Sequence, residues 1–351
     1  MDEFVYTTLS AKKARRWIGG LAVGLVVLFL GSFVWGRYDV SLKNVIGILL
    51  NELLTSFSTD LALPISWTDQ MEIAVLNIRL PRIMLACLVG CCLATAGTAY
   101  QSVFQNPMAA PDILGASSGA CFGAALAILL EFNHHGITVL AFVCSLLTIG
   151  LVYLIGQKSR GNRVTGILLA GVMVSSLFSA GTSYIKLVAD PSNQLPEITY
   201  WMLGSLSGIR MSDVTLALIP MLFGVIPLLL LRWRINLLTI GEDEARTMGV
   251  NTGRLRLVVI LSATVLTAAS VAVSGMIGWV GLVIPHLSRK LVGNDCRYLL
   301  PTSMLFGAGF LLFVDNISRN LLATEIPIGI LTAFIGAPFF IYLMTRKESV
   351  L

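Results

Sequence analysis

Long apolar runs separated by short polar breaks recur from end to end of this chain. Ten such runs fall near 17–36, 83–104, 112–130, 137–156, 164–185, 213–231, 256–274, 276–292, 299–314 and 326–345. A helix of roughly 17 to 25 apolar residues crosses the hydrocarbon core of a bilayer, so the pattern predicts about ten transmembrane helices. The eighth and ninth runs are the least regular, since Pro285, His286, Ser288, Arg289 and Lys290 sit in or at the end of the eighth. Between about 37 and 82 an amphipathic stretch, VSLKNVIGILLNELL, precedes a polar, Trp-containing piece, and this segment is expected at the membrane surface. No gap is long enough for a soluble domain, so the expectation is one transmembrane domain over residues 1–351.

Composition agrees with the pattern. Only 12% of residues are charged and 56% are hydrophobic, against about a quarter charged in a soluble domain, so the bundle is the protein and not an anchor for something else. Lys and Arg placement sets the expected orientation. With Lys12, Lys13, Arg15 and Arg16 inside, a ten-span path also puts inside Lys158, Arg160 and Arg163, then Arg232 to Arg256, then Arg289, Lys290 and Arg297, and finally Arg346 and Lys347. The outer side receives Glu131, Asp190, Glu197 and Glu325 with the isolated cations Arg79, Arg82, Lys186, Arg210 and Arg319. Both termini are therefore expected in the cytoplasm. The net charge of +5 reflects these inner clusters near anionic lipid and implies no nucleic-acid partner.

Several residues break the apolar background. GEDEARTMGV, 241 to 250, lies in the expected loop between the sixth and seventh spans. Its acids suit a helix start and Gly249 suits a stop, giving a short helix too small to anchor in lipid. It reads either as a polar loop capping two spans or as a grip for a soluble partner. QNPMAAPD, 105 to 112, carries two helix-stopping prolines after the second span. Gly115, Gly119 and Gly123 form a small-xxx-small ladder for close helix approach. The six cysteines show no C-x-x-C pair, His134 and His135 form an exposed pair, and His286 is expected to be hydrogen-bonded within the bundle. No GxxxxGK[ST] pattern occurs, so this chain is not expected to hydrolyse ATP.

Three long motifs resemble one family in the right order. RWRINLLTIGEDEARTMGVNTGRLR is similar to the coupling-helix loop of the FecCD permeases, the membrane subunits of bacterial ABC importers for iron-siderophores, haem and cobalamin. NIRLPRIMLACLVGCCLATAGTAYQSVFQNPMAAPDILGASSGA (77 to 120) resembles that family's second and third spans. SGMIGWVGLVIPHLSRKLVGNDCRYLLP and EIPIGILTAFIGAPFFIYLMTRK resemble its C-terminal signature. The motif resemblance runs from about residue 70 to the end.

The resemblance implies an all-α polytopic bundle of the second structural type of ABC importer permease, in the bacterial inner membrane. A second copy as homodimer partner, two cytoplasmic ATPase subunits that use ATP and Mg, and an external binding protein would complete the assembly, with no cofactor held by this chain. The implied ATPase-coupling residues, within a coupling helix at about 237–250, are Gly241, Glu242, Glu244, Ala245, Arg246, Met248 and Gly249. Arg79, Arg82 and Arg319 would dock the binding protein, their planar forks suiting carboxylates; snorkelling, or pairing with Asp315 or Glu325, is the alternative. Asn106 and Met108 would form the cytoplasmic gate. The pathway would be lined by about 164–185, 192–205 and 326–345. The implied cargo is a metal chelate, a ferric siderophore first, with haem, cobalamin and molybdate as alternatives. A secondary transporter is the more remote reading; it normally needs intramembrane carboxylates or broken-helix ion sites, and Asp315 is the sole acid expected near a span.

Overall fold

In a computed structural model the described residues are 11–57, 67–158, 163–240, 245 and 247–345. They form helices and no strands. In chain order these are α1 (Ala11–Val34), α2 (Leu42–Phe57), α3 (Asp69–Ile73), α4 (Leu80–Phe104), α5 (Ala116–Leu129), α6 (His134–Gln157), α7 (Arg163–Val188), α8 (Gln194–Met202), α9 (Met211–Ile240), α10 (Thr252–Ser274), α11 (Val280–Val292), α12 (Cys296–Asn320) and α13 (Ile328–Thr345). Every one of the ten expected spans has its helix. Seven are long and apolar enough to cross a membrane, whereas α5 and α11 have only 14 and 13 residues. At 1.5 Å per residue these two reach about 20 Å, so each starts or stops inside the bundle.

Helix α4 occupies the centre, and its small residues permit that position. At Gly90 an added Cβ would strike the backbone of Gly307 on α12, and at Gly307 it would strike that of Gly90. The two backbones touch because neither carries a side chain there, which lets dispersion and Cα–H contacts replace the hydrophobic effect that lipid cannot supply. Buried hydroxyls on α4 donate to the carbonyl one turn back: Thr98 to Ala94 at 2.9 Å and Ser102 to Thr98 at 2.8 Å. The Tyr100 hydroxyl and the Thr264 hydroxyl share a hydrogen bond of 3.0 Å that ties α4 to α10. At the periphery, α1 turns Val23, Val26, Val27 and Leu30 outward, as a lipid-facing helix does, while its Ser32 accepts Asn316 Nδ2 of α12 at 2.7 Å.

Some boundaries differ from expectation for local reasons. Residues 74–79 form a π-turn, with the Leu80 N–H bonded to the Val75 carbonyl, so α3 and α4 run on continuously and Arg79 is swung into the structure. Val45 and Ile48 of α2 are buried against the bundle, and the Trp67 indole lies over Gly47 and donates to Glu72 at 3.0 Å, so α2 packs on protein as well as facing out. α9 continues to Ile240, past the expected 231, because Ile235, Leu237 and Leu238 find buried positions. Gly119 and Gly123 do lie against α6, but Gly115 precedes the helix at φ +82° and makes the turn into it. His286 corrects another expectation: its Nε2 is buried without a hydrogen-bond partner.

Candidate functional site

One end of the bundle carries a buried charge network. Arg82 at the start of α4 donates Nε to Asp315 Oδ1 at 2.9 Å and Nη1 to both oxygens of Glu325, at 3.0 and 2.9 Å. Arg319, one turn beyond Asp315 on α12, places Nε 3.1 Å from Asp315 Oδ2 and donates Nη2 to Asn316. Arg79 donates to the carbonyls of Phe33 and Tyr38. All three arginines are buried, and Asp315 is fully so. The expected free docking forks are thus engaged inside this chain: the π-turn and the (i, i+4) spacing of Asp315 and Arg319 point them at partners within the protein. Arg82 Nη2 is left without a partner.

Elsewhere, His134 Nε2 and His135 Nδ1 at the start of α6 lie 3.2 and 3.5 Å from Asp213 Oδ1 at the start of α9. The His pair is visible in the sequence, whereas the acid arrives from a helix about eighty residues on.

At the opposite end, rich in Lys and Arg, the chain after α4 turns through Gln105 at φ +49°. Asn106 and Met108 are exposed there, and Asn106 Oδ1 accepts the Met108 N–H at 2.8 Å, a local turn that Asn-Pro sequences favour. Gln101 accepts from Arg289 of α11, and Gln105 donates to the Leu238 carbonyl of α9, so this turn bridges two other helices. Asn236 of α9 donates to Asp295 at 2.7 Å and accepts the Cys296 N–H at 2.8 Å, tying α9 to the turn before α12. Burial alone would raise the Asp295 carboxyl, but the Arg297 contacts and Asn236 outweigh it and hold the group below the usual carboxylate range.

Of the residues expected to couple to an ATPase, Gly241, Glu242, Glu244 and Arg246 lie outside the described residues. Ala245 is buried, Met248 is exposed, and Gly249 has φ +76°. The Val250 N–H bonds the Ala245 carbonyl at 3.2 Å, the six-to-one closure of a glycine-terminated helix.

A concavity of about 700 Å³ opens beside the end of α8, the loop before α11 and α13. Met202 and Leu203 at the end of α8, Met276 and Trp279 before α11, and Ile330, Ala333 and Phe334 of α13 line it. Backbone bonds fix these three segments together: Ile328 N to Gly204 O and Ser205 N to Ser274 O, both 2.8 Å. The expected segments 192–205 and 326–345 contribute, and no lining residue comes from α7. The loop before α11 takes that place, because α11 begins inside the bundle.

Trp279 adopts φ +70°, a left-handed conformation that costs a bulky residue about 1–3 kcal/mol and marks sites over-determined by their surroundings. Here its carbonyl opens α11 and its side chain packs against Gly336 of α13, where an added Cβ would meet the ring Cγ at 2.6 Å. Among the described residues the one charged side chain lining the concavity is Asp112, in the turn Pro111–Leu114 just before α5. Asp315 is therefore not the sole acid within the bundle. In the sequence Asp112 belongs with the loop 105–112, and an acid between Pro111 and an apolar run is the available signal.

The profile of the FecCD transport family matches residues 24–346, beginning well before the residue 70 at which the motif resemblance starts. The molybdate import system permease protein MolB of Haemophilus influenzae is 40% identical over 321 residues, covering 92% of this chain and 93% of that protein. The hemin transport system permease protein HmuU of Yersinia pestis is 37% identical over 342 residues, covering 95% and 97%. A solved structure, described as an inward-facing conformation of an ABC transporter assigned to the metal-chelate type, superposes with a TM-score of 0.82 at 37% identity, covering 95% of this chain and 100% of that one. A match that runs from the first span to the last helix, on a fold shared at that level of identity, makes this chain an integral membrane permease of the FecCD transport family.

Proposed function

We propose that this chain is the translocating subunit of an ATP-driven importer in the bacterial inner membrane, and that its cargo is a metal chelate, a ferric siderophore first. Residues 1–351 act as one permease domain with both termini in the cytoplasm. Two copies face each other, so that the apolar concavity of each forms half of a common pathway. The observation that carries this reading is that concavity: about 700 Å³, bounded by Met, Trp and Phe side chains, and partly open on one side, where a second copy would close it. Such a lining offers few hydrogen bonds to hold a cargo, which suits a passage driven from outside the subunit.

In this reading two cytoplasmic ATPase subunits grip residues 241 to 249, with exposed Met248 inserted into the partner and Glu242, Glu244 and Arg246 fixing orientation. Their closure pulls the loop that follows α9, and the bonds from α9 to the 105–108 turn and to the turn before α12 carry the movement to the gate at Asn106 and Met108. The binding protein docks at the opposite end, its carboxylates exchanging with half-buried Glu325 on Arg82, while Arg79 and Arg319 hold the network in place. ATP and Mg belong to the partners.

The test is co-purification of the tagged chain with its gene neighbours, then an ATPase assay with the binding protein loaded in turn with ferric siderophore, haem, cobalamin or molybdate. A stable complex stimulated by a ferric siderophore is expected. Stimulation by another ligand alone would move the cargo to that ligand. The absence of any ATPase partner would overturn this reading.

A further inference from the structure

We propose that Asp112 sets the charge preference of the pathway, so that the cavity favours neutral and cationic cargo over anions; this rests on the reading of the concavity as the pathway. Asp112 is exposed, and its exposed surface opens into the cavity, whose other lining residues are uncharged. One carboxylate oxygen accepts the Ser117 hydroxyl, which fixes the side chain against α5. The other lies 3.9 Å from where a side chain on Gly278 would begin, and Gly278 itself lines the cavity, so glycine there leaves that oxygen uncovered.

The setting makes the charge matter. Helices α5 and α11 both begin inside the bundle, at Ala116 and Val280, flanking Asp112 on one side and Gly278 on the other. Helix N-termini carry partial positive charge and free N–H groups and attract anions. Without an acid, this part of the pathway would be an anion trap in low-dielectric surroundings. Asp112 occupies that position, held by Ser117, and in its ionised form replaces attraction of anions by repulsion. In a pair of copies two such carboxylates would face one passage. A small oxyanion meets an apolar wall and two like charges there, whereas a chelate that has neutralised its own ligands, or carries a spare amine, passes.

The experiment reads the local potential directly. Ala333 lines the cavity, and Ala333→Cys in the full-length chain in lipid nanodiscs is treated with a cationic trimethylammonium-ethyl or an anionic sulfonatoethyl methanethiosulfonate. Reaction of the chain without Ala333→Cys is subtracted to remove the native cysteines. A unit charge within about 8 Å at an effective dielectric near 20 changes local concentration by about tenfold or more. The ratio of cationic to anionic rates, normalised to the same ratio on a free thiol, is therefore expected to exceed about ten. Asp112→Asn should bring it to one or below, exposing the helix termini, and Asp112→Glu should keep it high.

A ratio equal to that of the free thiol in the unmodified background overturns the proposal without recourse to an Asp112 variant, as does a ratio unchanged by Asp112→Asn. Saturable molybdate uptake by the complete wild-type system would overturn it as well. The reagent ratio needs no ATPase or binding protein, so its outcome is separate from the hydrolysis assay that tests the importer reading.

Discussion

Replacing Asp315 by Asn is the sharpest test of the buried charge network. The Asp315 side chain has no exposed surface, and the two cations it holds, Arg82 and Arg319, are 7% and 9% exposed. Removing one member of a buried pair leaves an uncompensated charge and costs about 3–5 kcal/mol. The loss should not double here, because Glu325 still holds Arg82 Nη1 and Asn316 still accepts from Arg319. Asp315→Asn is therefore expected to lower stability by about 3–5 kcal/mol. Equilibrium unfolding of the purified permease by SDS in mixed micelles, followed by tryptophan fluorescence, gives that number. Adding Arg319→Met should recover part of it, since the second change removes a charge the first one orphaned, and the non-additivity measures the pair directly. Raising salt should change little, because buried charges are poorly screened. A loss below about 1 kcal/mol, the range of exposed ion pairs, would refute the reasoning, as would strict additivity of the two changes.

The remaining expectations concern the other end and the cavity. Met248→Asp should leave the bundle folded but remove ligand-stimulated ATP hydrolysis in the assembled complex; normal coupling would place the ATPase contact elsewhere. Gly336→Val should displace the Trp279 indole and abolish transport while tryptophan fluorescence shifts, whereas an unchanged spectrum would show that the indole does not rest there. Tyr100→Phe, which removes one buried hydrogen bond between α4 and α10, should cost about 1 kcal/mol in the same SDS titration.

Asp295 supplies a pH test. Its folded-state pKa is depressed, so its contribution is present above the usual carboxylate range and is lost as pH falls through the lowered value. The stability gap between the unmodified chain and Asp295→Asn should accordingly be constant near neutrality and close below about pH 4. A gap that widened on acidification would contradict the contacts from Arg297 and Asn236.

The sequence by itself determined the solvent of this protein, the places of its apolar helices and its family. A bilayer demands about twenty apolar residues per crossing and internal hydrogen bonding throughout, so hydropathy alone marks the helices, and even short α5 and α11 left legible apolar runs. Turn residues were legible too: Gly249 ends its helix as glycine composition predicts, because only glycine takes that conformation without strain.

What the tertiary structure decided were the relations between distant residues. Arg82 and Glu325 are 243 positions apart and Arg82 and Asp315 are 233 apart, so no periodicity could say that the arginines turn inward rather than outward. Asp213 meets the His pair in the same way. Asp112 looked like one more polar residue in a turn, and its place became visible only when α5 and α11 proved too short to span, leaving their N-terminal ends inside the bundle. Local pattern sets which segments enter the membrane, because that is a transfer free energy summed over one helix. Which polar groups meet there is set by packing between helices far apart in the chain.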